Sequence, residues 1–163
     1  LLTSPAYRAF ELGQTTPETF ARSLVAELEL RCTPVEFLSE FAGWPEGFYP
    51  GASALLAQLR TRYKLACLSN SNALHWARFD GFRGHFDVTL SSHLLHLIKP
   101  DAACFRRALA ECDCAADEVV FFDDAALNVE AAHACGIRSV LVRDFDDLQR
   151  TVQDMGLLPR ADP

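Results

Sequence analysis

The sequence predicts an α/β protein, with a small helical domain over residues 1–50 and a three-layer, doubly wound parallel sheet over residues 51–163. Three observations predict it. Four short apolar runs, KLACLS, DVTLSS, EVVFF and RSVLV, are set apart by stretches of helical pattern. Apolar runs without alternation read as strands covered on both faces, the usual condition of a parallel sheet between two helical layers. Before them, the first fifty residues carry helical patterning alone.

In chain order, Thr16-Pro17 reads as a helix start before ETFARSLVAELEL, with Glu18 in the first turn, and Thr33-Pro34 opens a second helix through VEFLSEFAG. The segment GWPEGFYPG, with three Gly and two Pro in nine residues, breaks the pattern and reads as a linker. Residues 51–62 form a helix with Leu55, Leu56 and Leu59 on one face, and KLACLS is the first strand. A loop and short helix over residues 73–82 lead to the strand DVTLSS. A helix over 101–112, the strand EVVFF, a helix over 125–135, the strand RSVLV and a last helix over 146–155 complete the chain.

Composition excludes several classes of function. Fifteen Lys and Arg against twenty-two Asp and Glu leave a formal charge of −7, which argues against a nucleic-acid surface or a polybasic membrane patch. No apolar run approaches the roughly 20 residues of a membrane span. At 163 residues a single domain buries enough surface to hold a core without disulfides or a structural metal. Six cysteines without a CxxC pair suit a reducing compartment, so a cytoplasmic location is expected. They are read as buried or idle thiols. The N-terminus has neither the basic start nor the apolar run of a signal peptide. Oligomeric state is left open by the sequence.

In an open α/β sheet, ligands bind beyond the carboxyl ends of the strands. Three such places carry chemistry. KLACLS ends in Ser69-Asn70-Ser71-Asn72, EVVFF ends in Asp123-Asp124, and Lys99-Pro100-Asp101 follows DVTLSS. Adjacent carboxylates suit a hard cation such as Mg²⁺, which takes one or two of them with waters and a phosphate. Asp124 also fits as the N-cap of the following helix, which leaves Asp123 without a structural use, and strand alternation points the two apart so that only one meets a metal directly. Ser69 and Asn70 offer a hydroxyl, an amide and backbone N–H groups for phosphate oxygens, though SNSN equally suits plain turn chemistry. The Lys99 ammonium can neutralise both a carboxylate and a transferring phosphoryl group. His93 and His96, three apart, nominate no third metal ligand.

Taken in this order, LSNSN, LLHLIKPDAACF and VVFFDDAALNVEAAHACGIRSVLV resemble the haloacid dehalogenase-like superfamily, in the branch with a helical cap, over residues 10–144. Within it they look most like sugar-phosphate phosphatases related to glucose-1-phosphatase. The resemblance implies a Rossmann-type core with residues 1–50 as the cap segment. It makes Ser69 the phosphoryl-binding hydroxyl, with Asn70 and Lys99 also touching substrate, and makes Lys99 the charge-stabilising lysine. Asp123 and Asp124 become the metal acids, Asp124 the better placed for direct contact, and Asn128 falls where the family often keeps a second polar group. The implied activity is Mg²⁺-dependent hydrolysis of a small phosphorylated substrate through an aspartyl-phosphate intermediate. A 2-haloacid dehalogenase, which needs no metal, is the alternative that the acid pair disfavours. A module that binds Mg²⁺ and anions without catalysis is the other.

The sequence departs from the family in one large respect. The family's first motif, an apolar strand ending in DxDGT that supplies the nucleophilic Asp, has no match before Ser69, and no other acid is expected to follow a strand with that two-residue spacing. The sequence also begins without Met, so the expectation is of a further strand and the DxD motif upstream. His96 stands where Gly is common, and His tolerates positive φ better than most residues.

Overall fold

The computed structural model describes residues 4–158. In chain order the elements are α1 (Pro5–Glu11), α2 (Pro17–Glu27), α3 (Pro34–Gly43), α4 (Ala52–Arg60), β1 (Ala66–Ser69), α5 (Ala73–Arg78), α6 (Asp80–Arg83), β2 (Val88–Ser91), α7 (Ser92–Leu95), α8 (Ala102–Cys112), β3 (Val120–Asp123), α9 (Ala126–Ala134), β4 (Arg138–Leu141) and α10 (Phe145–Asp154). A short 3₁₀ turn, Ala116–Glu118, precedes β3. The chain divides into two compact units. The first gathers the residues up to Gly47 with Leu68–Arg83 and Leu90–Ile98, and the second gathers Phe48–Cys67, Gly84–Thr89 and the residues from Lys99 onward.

The helix starts follow from local chemistry. Thr16 Oγ1 accepts the Thr19 N–H at 3.3 Å, and Thr33 and Glu36 cap each other reciprocally, at 2.8 Å from the Thr33 N–H to Glu36 Oε2 and 3.2 Å in return. Such a box satisfies two of the amides that a helix start leaves without partners. In both helices Pro takes the first position, where its missing N–H costs nothing. Ser4-Pro5 carries the same signal, and Ser4 Oγ accepts the Tyr7 N–H at 3.1 Å to open α1, a helix that the sequence reading did not single out.

In the first unit these three helices bury an aromatic core. Phe10 lies flat on Phe20 at 4.3 Å between centroids, Phe37 and Phe41 stack at 5.5 Å, and Ala21 and Leu24 fill the space between. Each buried Phe contributes about 1.5–3 kcal/mol by leaving water.

In the second unit β3 and β4 pair in parallel from Val120↔Arg138 to Asp123↔Leu141, as the apolar runs predict. The helix α9 that links them packs on both strands. The strands do not form one continuous ladder among the described residues: β1 pairs with β2 and β3 with β4, as two separate sheets. Burial is correspondingly less than the runs suggest, since Val120, Phe121 and Phe122 are only half-buried. All six cysteines are free thiols. Among the described residues no helix is long and apolar enough to cross a membrane.

Candidate active site

The turn after β1 splits into two halves with different work. Asn72 is fully buried and opens α5, its Oδ1 accepting the His75 N–H at 3.1 Å. The His75 ring, in turn, meets the Phe41 carbonyl at 2.7 Å through Nε2. Burial pulls the His75 pKa below its ordinary value, against a smaller upward effect of the Phe41 carbonyl. The Ser71 N–H donates to Ser92 Oγ at 2.9 Å, and the Ser92 hydroxyl reaches the carbonyls of Glu11 at 2.6 Å and Ser71 at 2.9 Å. Ser71 and Asn72 thus take the plain turn chemistry. Ser69 and Asn70 are half-buried. The Ser69 hydroxyl lies 3.4 Å from the Asn70 carbonyl, too long for a strong O–H···O bond, so it retains hydrogen-bonding capacity.

His93 and His96 also serve the first unit. His93 Nδ1 meets Ser91 Oγ at 2.7 Å. His96 ends α7 in the left-handed region at φ 55°, as expected of a His in a place where Gly is common. Its Nδ1 holds the Leu12 carbonyl at 2.8 Å. Next along, Gly13 has φ +67°, and a Cβ there would collide with the His93 carbonyl.

In the second unit, Lys99 and Asp123 form a buried ion pair. Lys99 Nζ donates to Asp123 Oδ2 at 2.7 Å, and the two side chains are only 10% and 6% exposed. Lys99 is joined to Pro100 by a cis peptide bond. The other carboxylate oxygen, Oδ1, accepts the Ala125 N–H and the Asn128 amide, each at 2.9 Å. Burial alone would raise the Asp123 pKa. The hydrogen bond and charge of Lys99, with the Ala125 N–H and the Asn128 amide, outweigh it and hold the carboxyl below its ordinary range. Asp123 is therefore an anion fixed by three donors.

This corrects the reading that leaves Asp123 without a structural use and gives Asp124 the capping role. The residue before α9 is Ala125, which offers no side-chain cap, and its N–H goes to Asp123. Asp124 is exposed and makes no hydrogen bond or ion pair among the described residues. Alternation along β3 separates the two acids as expected, one turned inward to Lys99 and one outward. The structure brings together Lys99, Asp123 and Asn128, with Asp124 beside them, whereas Ser69 and Asn70 stand in the first unit.

The expectation that no other acid pair follows a strand overlooks Asp144 and Asp146, two residues apart just after β4. Asp144 is engaged in local structure, its Oδ1 accepting the Asp147 N–H at 2.7 Å to start α10. The Asx-turn character of an Asp at a helix start is the signal that separates it from a reactive pair.

Of the two adjacent acids, Asp124 is the one that could hold a divalent cation. Among the described residues there is no cluster of three or more His, Cys, Asp and Glu side chains able to hold a metal ion. Mg²⁺ does not need one, because it keeps most of its waters and binds through one or two carboxylates together with substrate phosphate. An exposed carboxylate at a strand end, next to a second one already neutralised by a lysine, fits that requirement.

Known proteins resemble this chain in sequence and in fold. The family model described as "Hydrolase: haloacid dehalogenase-like hydrolase" matches residues 9–136. A plasmid phosphoglycolate phosphatase of Cupriavidus necator is 30% identical over 140 residues, covering 83% of this chain and 58% of its own. Phosphatase MT3486 of Mycobacterium tuberculosis is 32% identical over 147 residues, covering 85% of this chain and 67% of its own. The chain thus spans a little over half to two thirds of the length of these relatives. The HAD family enzyme BT-2542 of Bacteroides thetaiotaomicron, solved with magnesium and inorganic phosphate, superposes with a TM-score of 0.77 at 21% identity, over 91% of this chain and 80% of that one. That likeness establishes the fold, and the matched family model establishes kinship: this chain belongs to the haloacid dehalogenase-like hydrolases.

Proposed function

We propose that the protein is a Mg²⁺-dependent phosphatase of small phosphomonoesters such as sugar phosphates, working through an aspartyl-phosphate intermediate. The observation that carries the proposal is the buried Lys99–Asp123 pair, braced by Asn128, with the Asp124 carboxylate exposed beside it. A lysine held this way presents a fixed positive charge, which is what a transferring phosphoryl group with charge spread over its oxygens requires. The kinship with proteins named phosphatases supports the same reading, as does a similar fold solved with magnesium and phosphate.

In this reading Ser69 donates its hydroxyl to one phosphoryl oxygen and Asn70 supplies amide contacts to another. Lys99 carries the charge-stabilising ammonium, and Asp123, which accepts from three N–H donors, orients it. Asp124 would hold the Mg²⁺. When bound, the metal neutralises charge on the phosphoryl oxygens. The family's nucleophilic Asp stands in a DxDGT motif that has no match before Ser69, so the covalent step is not assigned to any residue described above. The acid pair favours a phosphatase over a 2-haloacid dehalogenase, whose chemistry needs no metal. Six free thiols fit a cytoplasmic location.

The test is phosphate release from a panel of sugar phosphates, phosphoglycolate and p-nitrophenyl phosphate by the full-length protein, with Mg²⁺ and with EDTA. Mg²⁺-dependent release is expected. Release that is equal in EDTA, or chloride release from 2-chloropropionate in place of phosphate release, defeats the reading.

A further inference from the structure

The Lys99 ammonium meets two side chains of β3, Asp123 and Phe121. Residues two apart on a strand project to the same side, and Phe121 and Asp123 are so related. Lys99 Nζ lies 2.7 Å from Asp123 Oδ2 and 5.5 Å from the centroid of the Phe121 ring. The ring is itself fixed, because it makes a T-shaped contact with Phe105 at 5.5 Å between centroids and an interplanar angle of 80°, and Phe105 is fully buried. Cys67 and Cys104 are close enough for the Lys99 charge to act on them, yet burial pushes both thiols up, Cys104 to about 11, so both are neutral at physiological pH. The carboxylate and the π face are thus two partners of different kind for the ammonium.

The two partners act differently. A carboxylate draws an N–H along a line, whereas the negative face of a ring attracts the charge as a whole and commits no particular N–H to an acceptor. We propose that Phe121 is a positioning residue for Lys99, its π face setting where the ammonium stands so that Asp123 does not draw it out of reach of an incoming phosphoryl oxygen. The proposal rests on the phosphatase reading, since that reading assigns the ammonium its task.

The test replaces Phe121 in the full-length protein with 4-fluoro-, 3,5-difluoro- and pentafluorophenylalanine, which keep the ring's shape while draining its face of negative potential, alongside Phe121→Leu and Phe121→Tyr. Along the fluorinated series kcat is expected to fall stepwise to a total of about 3- to 30-fold, the span of a partly to fully desolvated cation–π contact. KM should move less, and thermal melting should stay unchanged. Phe121→Leu, which has no π face, should fall between the wild type and the pentafluoro protein, whose face is positive, and Phe121→Tyr should retain activity. By NMR, the Lys99 ε-methylene protons should be shifted upfield in the wild type by the ring above them and move downfield in Phe121→Leu. If kcat is indifferent to fluorination while Lys99→Ala loses it, or if the ε protons show no ring shift, the positioning role is overturned and the phosphatase reading stands. If the wild type hydrolyses no phosphomonoester, the reading falls and the role falls with it.

Discussion

Replacing Asp123 with Asn should destabilise the protein by about 3 kcal/mol, the lower part of the range of about 3–5 kcal/mol for breaking a buried pair by removing one partner. The structure supplies the reasoning. The oxygen of the introduced amide can keep the Ala125 N–H and the Asn128 amide, so those two bonds at 2.9 Å survive. Its NH₂ then stands where Oδ2 stood, 2.7 Å from Lys99 Nζ, with one donor facing another. Lys99 is 10% exposed rather than sealed, so it can turn toward water and recover part of the loss, which sets the value low in the range. Lys99→Met leaves the carboxylate with its two remaining donors, and the double variant leaves no charge stranded. The double should therefore cost less than the two singles together, by a coupling of about 1–3 kcal/mol. The pH dependence follows from the depressed Asp123 pKa. A carboxyl lowered on folding contributes stability that is complete above its unfolded pKa of about 3.9 and is lost as pH falls through the folded value. The difference between wild type and Asp123→Asn should thus be flat from neutral pH down to about 5 and shrink below about 4. Urea unfolding followed by circular dichroism at several pH values measures all of this. A cost under about 1 kcal/mol, or strictly additive singles, would show that the pair contributes no more than a surface ion pair.

Three further outcomes are expected. Asp124→Asn removes an exposed carboxylate that braces nothing among the described residues, so it should weaken Mg²⁺ binding while leaving the melting temperature alone; isothermal titration with equal Mg²⁺ affinity in both proteins would exclude Asp124 as a ligand. Lys99→Ala should lower kcat for phosphomonoester hydrolysis by about 10²–10³, as for loss of one preorganised charge-stabilising donor, and unchanged turnover would confine Lys99 to a structural part. Gly13→Ala should cost more than about 2 kcal/mol, because the left-handed backbone penalty of about 1–2 kcal/mol is joined by the clash of the new methyl with the His93 carbonyl; a melt within error of wild type would mean the loop relaxes freely.

The elements were legible where the signal is local. Thr16-Pro17 and Thr33-Pro34 start helices because an oxygen and a ring with no N–H satisfy the first turn within four residues, and a reader of sequence sees all of them together. Ser4-Pro5 gave the same signal and could have been read the same way. The pairing of the strands into two separate sheets is less legible, since an apolar run such as VVFF states only that a strand is suited to burial. Which neighbour pairs with it is decided by other parts of the chain.

The site divides along the same line. That the two adjacent acids after EVVFF would face opposite ways follows from the two-residue period of a strand, and the structure bears it out. Which acid turns inward is decided by Lys99, 24 residues away, and by Asn128 on the next helix. Neither local pattern nor composition could weigh them, and capping logic alone gave Asp124 the wrong task. The same period offered a further clue that went unused. If Asp123 faces inward then Phe121 does too, and the ammonium paired with the carboxylate lies over that ring. An acid and an aromatic two apart at the end of a strand, followed by an Asn five residues on, together describe a seat for an ammonium, and the lysine before a proline is the group the fold delivers to it.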